Sequence, residues 1–159
     1  MSGSRYRVRR ASSSDLAAVR VVLAQNQASR PSRPEPPREA SSREISMWER
    51  VGATPGLTVY LAELEGEPVG TASMMLMPHI TYDCRPSAFV EAVVVAYAHR
   101  RQGVATLLVR QALEDAREAS CFKIQLLSHK RHADDGAHRL YRSLGFTPEA
   151  EGFRLYLNE

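Results

Sequence analysis

The chain has 159 residues, of which 43% are hydrophobic and 25% are charged, and these proportions are typical of a water-soluble globular protein. The length allows one domain with a sizeable core and is too short for two domains of ordinary size, so a single domain over residues 1–159 is expected. A net charge of +3 without an extended block of basic residues argues against a nucleic-acid-binding protein.

The sequence carries no membrane-spanning or secretory pattern. No run approaches the roughly 20 apolar residues that cross a bilayer, and the polar N-terminus lacks the apolar core of a signal peptide. Cys84 and Cys121 lie in different segments without the spacing of metal ligands, so we expect reduced thiols and no metal site. We therefore expect a cytoplasmic protein without a membrane partner.

The N-terminal third predicts one strand and two helices. Residues 5–10 alternate polar and apolar side chains, which is typical of an edge strand, and residues 12–15 offer N-caps for a helix that follows. Four prolines exclude a regular helix from residues 28–43, which form a loop that either faces solvent or borders a binding pocket. Residues 44–51 predict the second helix. Three of its apolar side chains are expected to face inward: Ile45, Trp48 and Val51.

The middle of the chain predicts a β-hairpin followed by a loop and a strand. Residues 57–64 and 68–77 flank a Glu65–Gly66 turn, as the strands of a hairpin do. A polar loop over residues 78–86 leads to the apolar strand 89–95. Three methionines of the hairpin are interpreted as core filler, because flexible thioethers pack irregular gaps: Met74, Met75 and Met77.

A strand, a basic turn and a helix follow one another around Gly103. The strand ends on three valines, the turn is residues 96–102, and the helix after it has apolar residues at helical spacing. The free amides and dipole of a helix N-terminus favour phosphate, glycine permits close approach, and Arg100 and Arg101 add positive charge. A single glycine also fits a plain chain reversal, so an anion site and a simple turn both remain open.

The C-terminal third predicts a strand, a helix and a strand pair. The strand is residues 122–127 and the helix residues 136–144, with a polar loop between them. Residues 146–149 and 152–157 are predicted to form paired strands that end the chain. The whole order is β-α-α-β-β-β-α-β-α-β-β, which indicates an α/β fold with one mixed sheet and helices on its faces.

Two motifs resemble those of the GNAT family of N-acetyltransferases. Residues 100–105, RRQGVA, resemble the family's (Q/R)xxGx(G/A) loop, and residues 137–146, AHRLYRSLGF, resemble its A-x-x-(F/L)-Y-x-x-x-G-F helix. Residues 89–95 and 121–126 resemble the IExVVV and CYKIxL strands of one subgroup of small members. The resemblance implies the acyl-CoA N-acyltransferase fold, with a mixed, mostly antiparallel central sheet and helices on both faces.

The resemblance implies an N-acetyltransferase that uses acetyl-CoA as cosubstrate and acetylates a primary amine of a small molecule or an amino-acid-like acceptor. The strand valines would hold the pantetheine arm, the loop and helix amides would bind the pyrophosphate, and Arg100 would contact phosphate or hold the loop. The implied coenzyme-binding residues are Val93, Val94, Val95, Arg100, Arg101, Gln102, Gly103, Val104, Ala105 and Thr106.

Tyr141 and Glu91 are the candidate catalytic residues. By resemblance, Tyr141 is the general acid that protonates the leaving thiolate, although a buried tyrosine can also serve packing alone. Glu91 precedes Val95 by four residues, so a regular strand places both side chains on one face, where the carboxylate either meets the amine or pairs with an arginine. Four histidines are rival bases: His79, His129, His132 and His138.

Several alternatives stay open at this level. Asp134 occupies the position where many family members carry an asparagine that touches the coenzyme, which puts that contact in doubt. A catalytically silent acyl-CoA-binding regulatory module and a protein N-terminal acetyltransferase are the other functional hypotheses. The sequence does not identify the acceptor, the role of residues 28–43 or the oligomeric state, although a homodimer fits the final strand pair.

Overall fold

The computed structural model describes residues 4–26, 38–129 and 136–157. Within them, five strands form one sheet in the order β1-β2-β3-β4-β5. All neighbours are antiparallel except β4 and β5, which run parallel, so the mixed, mostly antiparallel sheet is confirmed. The strands are β1 (Tyr6–Arg10), β2 (Leu57–Leu64), β3 (Glu67–Met77), β4 (Ser87–Val95) and β5 (Lys123–Leu126).

The described part of the chain contains four α-helices: α1 (Leu16–Leu23), α2 (Ser42–Ala53), α3 (Val104–Glu118) and α4 (Ala137–Ser143). Helix α3 covers the face that carries the main core cluster, and α1 contacts β3 and β4. The paired residues Thr71 and Val94 are also buried, although they point away from α3, so helices cover both faces. No helix among the described residues has the length and apolarity to cross a membrane.

Helix α3 contacts the sheet closely at Gly70 of β3. A Cβ atom built on Gly70 would lie 2.8 Å from Val104 Cγ1 and 3.1 Å from Leu108 Cδ1, so only glycine leaves room for the first two turns of the helix. Val104 is 1% exposed and Leu108 is fully buried. Because Gly70 pairs with Val95, this contact fixes the start of α3 beside the end of β4.

A buried carboxylate makes a second connection between α3 and the sheet. Asp115 accepts hydrogen bonds from the Tyr60 hydroxyl at 2.8 Å, from Arg10 at 2.8 Å and from Gln111 at 3.0 Å. Burial alone would raise the pKa of Asp115, but these donors outweigh it and lower the pKa below its usual value. The carboxylate therefore stays charged and joins α3 to β1 and β2.

Two predictions about apolar residues are wrong. Ile45 of α2 is 45% exposed, because this helix lies at the periphery and buries none of its residues. Trp48 is half-buried and donates its indole N–H to the Ser13 carbonyl at 3.0 Å. Of the methionines, Met74 is 2% exposed and fills the core as predicted, whereas Met77 is 40% exposed at the end of β3.

The predicted C-terminal strand pair is also wrong in this structure. Residues 146–157 form no strand, although their apolar alternation is typical of one. Alternation specifies a face but not a partner, and a strand requires a neighbour for its hydrogen bonds. The exposed apolar side chains of this segment are Phe153, Leu155, Tyr156 and Leu157.

Replacement of Gly70 by alanine tests the packing of α3. We expect Gly70→Ala to lower the free energy of unfolding by about 1–3 kcal/mol, because Val104 is β-branched and cannot rotate away from the added methyl group. Val104→Ala in the same protein should recover part of that loss. Chemical denaturation followed by circular dichroism measures both changes.

Gly52 supplies the matched control. It lies in α2, where a Cβ atom added to it would meet no atom within 4 Å, so Gly52→Ala should stabilise the protein by about 0.5–1 kcal/mol. A Gly70→Ala protein as stable as Gly52→Ala would contradict the close packing of α3 on β3.

Candidate active site

A cavity of about 750 Å³ opens where β4 and β5 part. The two strands pair from Ser87 opposite Lys123 to Val90 opposite Leu126, and β4 then continues to Val95 paired with β3 alone. The gap is closed on its other sides by the start of α3, by α4 and by the turn after β4. On the edge of β4 that pairs with β5 up to Val90, the backbone groups beyond Val90 therefore face the cavity instead of a strand.

The cavity brings together all of the predicted site residues except Gln102. The valines of β4 form one wall, and Gly103 with the first turn of α3 forms another. Tyr141 lies on the wall that α4 contributes. The predicted residues that line the cavity are Glu91, Val93, Val94, Val95, Arg100, Arg101, Gly103, Val104, Ala105, Thr106 and Tyr141.

The first turn of α3 forms the end of the cavity that suits an anion. Gly103 is the N-cap and has a φ of 86°, a conformation that favours glycine. Leu107 is the first residue whose amide bonds back into the helix, to the Gly103 carbonyl at 3.1 Å. The amides of residues 104–106 precede it, and such amides carry the positive end of the helix dipole.

The two arginines of the turn have different surroundings. Arg100 donates to the Val95 carbonyl at 3.1 Å and to the Gln25 carbonyl at 2.7 Å, and its guanidinium lies over the Tyr97 ring. Arg101 has a φ of 63° and extends its guanidinium across to Gly136 at the start of α4. Arg100 thus holds backbone in place, while Arg101 places a cation at the mouth of the cavity.

A β-bulge in β4 overturns the predicted orientation of Glu91. Thr71 pairs with Val94 and Ser73 pairs with Glu91, so two residues of β4 lie opposite one residue of β3. Ala92, inside the bulge, has a φ of 52°. The extra residue shifts the alternation, and Val95 joins the core face under α3 while Glu91 points to the opposite face. Glu91 and Val95 therefore do not share a face.

A cation and an aromatic ring line the cavity together with Glu91. Arg154 also lines the cavity, and its pKa is raised by a hydrogen bond with the Tyr156 hydroxyl and by the Glu91 carboxylate. The Tyr141 ring packs edge-on against Phe146, with the ring centres 6.0 Å apart. This contact restrains the Tyr141 ring.

Of the remaining candidate residues, some line the cavity, some lie outside its lining and some lie outside the described residues. His129 lines the cavity, whereas His79 and His138 lie outside its lining. His132, Asp134 and residues 28–37 lie outside the described residues. In the described part of the chain, no group of three His, Cys, Asp or Glu side chains could hold a metal ion, and both cysteines are free thiols.

The cavity-lining residues that sequence reasoning missed include an asparagine, a histidine and two arginines. Asn26 follows α1, His99 lies in the turn after β4, Arg139 lies in α4 and Arg154 lies in the C-terminal segment. Only Arg139 falls within one of the two main motifs, and there at a variable position. His99 lies next to Arg100 in the basic turn, whereas long-range folding brings Asn26 and Arg154 to the site.

Comparison with sequence families and curated proteins identifies related chains. The sequence matches the model of the Acetyltransferase (GNAT) family over residues 22–146. It is 43% identical over 61 residues to an aminoglycoside N(6')-acetyltransferase type 1 of Acinetobacter haemolyticus, covering 38% of this chain and 41% of that protein. It is 30% identical over 99 residues to a glucosamine 6-phosphate N-acetyltransferase of Trypanosoma brucei brucei, covering 62% of this chain and 64% of that protein.

Solved structures extend the similarity to almost the whole chain. The matches to the two curated relatives span only about two fifths and just under two thirds of their lengths. A candidate acetyltransferase of Agrobacterium tumefaciens str. C58 is 33% identical with a TM-score of 0.80, covering 94% of this chain and 99% of that one. The fold and the two main motifs thus point to the same family.

Arg100→Lys tests whether Arg100 acts through geometry or through charge. A lysine keeps the charge but cannot bridge the Val95 and Gln25 carbonyls as a guanidinium does. We expect a loss of about 1–3 kcal/mol in the free energy of unfolding, because buried carbonyl groups lose a charged donor. Thermal and chemical denaturation measure the change.

Arg101→Lys is the matched control on the neighbouring residue. Arg101 is exposed, so its conservative replacement should change the free energy of unfolding by less than about 0.5 kcal/mol. Equal losses from the two variants would remove the distinction between the two arginines.

Proposed function

Because the chain belongs to the acetyltransferase (GNAT) family, we propose that it transfers the acetyl group of acetyl-CoA to a primary amine of a small-molecule or amino-acid-like acceptor. One observation carries this proposal: a single cavity is lined by the N-terminus of α3, by the edge of β4 that β5 leaves unpaired and by Tyr141. These three features match the diphosphate, the amide-rich arm and the leaving thiolate of the donor.

The first turn of α3 would bind the diphosphate. The amides of residues 104–106 offer hydrogen bonds, and the helix dipole favours the negative charge. Gly103 has no atom within 4 Å of its Cβ position, so open space rather than protein lies in front of it. Arg101 at the cavity mouth would add charge to the same end.

The outer edge of β4 would hold the pantetheine arm. The Ala96 amide donates to the carbonyl of Val69 in β3, so the backbone groups of the preceding residue, Val95, point away from β3. The Val95 carbonyl on that side accepts from Arg100. The Val95 N–H would therefore be available in the gap to donate to the thioester oxygen, which gains negative charge during acetyl transfer.

Tyr141 would act as the general acid. A phenol is protonated at neutral pH and can give its proton to the departing thiolate. Its place on the cavity wall, with the ring restrained by Phe146, supports this role over packing alone. Acetyl-CoA supplies the activated acyl group, and Tyr141 would supply the proton that makes coenzyme A a better leaving group.

Glu91 would bind the acceptor amine on the face of the sheet opposite to the Val95 side chain. The bulge turns its carboxylate toward the face opposite α3, where it is exposed and can meet a cation that enters from that side. An ammonium group held there needs to lose a proton before it attacks, and the carboxylate can accept it through water. The Arg154 cation nearby would balance the charge of Glu91 before an acceptor binds.

Thiol release from acetyl-CoA tests the proposed reaction across a panel of amines. The panel should contain amino sugars and aminoglycosides, which are the acceptor types named for the curated relatives, together with polyamines, amino acids and peptides. We expect acceptor-dependent thiol release with at least one small amine. Tight binding of coenzyme A without turnover on any amine would favour a silent binding module, and turnover confined to peptides would favour a protein N-terminal acetyltransferase.

Tyr141→Phe tests the general acid. We expect kcat to fall by about 100-fold or more while the dissociation constant of coenzyme A stays unchanged, because only the transferred proton is lost. Stopped-flow or steady-state thiol release gives kcat, and calorimetry gives the dissociation constant. Glu91→Gln is the comparison variant, for which the acceptor KM should rise while the KM of acetyl-CoA stays constant. A fully active Tyr141→Phe protein would overturn the role of Tyr141.

A further inference from the structure

The side chain of Gln102 turns away from the cavity and toward β1. Its Nε2 atom donates to the Ala98 carbonyl at 2.8 Å, which closes the turn on itself. Its Oε1 atom lies 2.7 Å from the hydroxyl of Tyr6 and also accepts from Arg5. Gln102 was predicted to contact the coenzyme, but the structure gives its side chain a different set of partners.

The number of hydrogens that each side chain can donate fixes the hydrogen-bond directions among Tyr6, Gln102 and His99. Because the Gln102 nitrogen must donate to Ala98, the amide oxygen faces Tyr6, and the Tyr6 hydroxyl has to be the donor. That uses the only hydroxyl proton of Tyr6. The His99 Nδ1 atom, 3.2 Å from the same hydroxyl oxygen, must then carry a hydrogen and donate to it.

Tyr6 is rigid enough to serve as an anchor. It is 7% exposed, belongs to the core cluster and pairs with Leu64 of β2. The His99 ring meets it edge-on with the ring centres 5.8 Å apart, and His99 itself lines the cavity. One buried hydroxyl thus connects the first strand of the sheet to two residues of the turn between β4 and α3.

This turn contains backbone that needs support. Arg101 has a φ of 63° and Gly103 a φ of 86°, and Gln102 lies between them. A non-glycine residue in this region persists when its surroundings over-determine the conformation. The contacts of Gln102 with Tyr6 and Ala98 provide that restraint immediately before the amides of α3 begin.

We propose that Tyr6 is a positioning residue that, through Gln102 and His99, orients the turn that presents the amides of α3 to the diphosphate. The inference rests on the proposed function, because it assigns the diphosphate to that turn. Tyr6 is not part of the cavity lining and would act only through Gln102 and His99. Its effect is confined to the end of the donor that carries the diphosphate and does not extend to the thioester or the acceptor.

Tyr6→Phe tests this role because it removes the hydroxyl and keeps the buried ring. We expect the dissociation constant of coenzyme A to rise about three- to tenfold, because the turn loses the restraint that the hydroxyl provides through Gln102 and His99, with kcat and the acceptor KM unchanged. S-acetylpantetheine, which lacks the diphosphate, should serve wild type and Tyr6→Phe equally well as donor. Gln102→Ala should show the same pattern, and the double variant should lose less than the product of the two effects.

Tyr97→Phe is the matched control, since it removes a hydroxyl from the same turn. Within the described residues the Tyr97 ring packs under Arg100, and no hydrogen bond involves its hydroxyl, so coenzyme A should bind this variant as it binds wild type. Unchanged coenzyme A affinity in Tyr6→Phe would overturn the inference, as would an equal loss with S-acetylpantetheine. Failure of wild type itself to bind coenzyme A would instead overturn the proposed function.

Discussion

The contact between Gly70 and Val104 is the constraint on which the rest of the site depends. The helix comes so close to β3 that a methyl group on Gly70 would overlap Val104. Because Gly70 also pairs with Val95, one position in the sheet sets the distance between the end of β4 and the start of α3. The start of α3 and the open strand edge of the cavity are therefore placed relative to each other by backbone packing.

Two departures from regular β-structure then expose the backbone edge of β4 and the Glu91 side chain to the cavity. The parting of β4 from β5 after Val90 exposes backbone groups that a continuous sheet would have paired. Because of the bulge at Ala92, Val93 and Val95 pack against the core under α3, while Glu91 points to the opposite face of the sheet. A strand of regular alternation would have placed Glu91 on the same face as Val95, beneath α3, where an unpaired carboxylate is costly.

Local patterns predicted the elements well, and long-range contacts account for what they missed. The helical spacing from Val104 to Ala112 and the Glu65–Gly66 turn were sufficient to predict α3 and the β2–β3 hairpin. The face of Glu91 could not be predicted, because a bulge is a property of the pairing with β3 and leaves only Ala92 at an unusual φ. The roles of Gly70 and Tyr6 depend on residues 34 and 96 positions away in Val104 and Gln102, which no local window contains. The predicted terminal strand pair is wrong for the opposite reason: its local pattern is typical of strands, but the segment pairs with no strand among the described residues.

The most direct test of the central claim is a titration of isotope-labelled protein with coenzyme A, followed by amide NMR. If the start of α3 binds the diphosphate, the largest chemical-shift changes should fall on the amides of residues 103–106, with smaller changes along β4. Pantetheine alone should shift β4 and leave the helix start unchanged. Coenzyme A that shifts neither region, or that shifts only residues outside this cavity, would contradict the account.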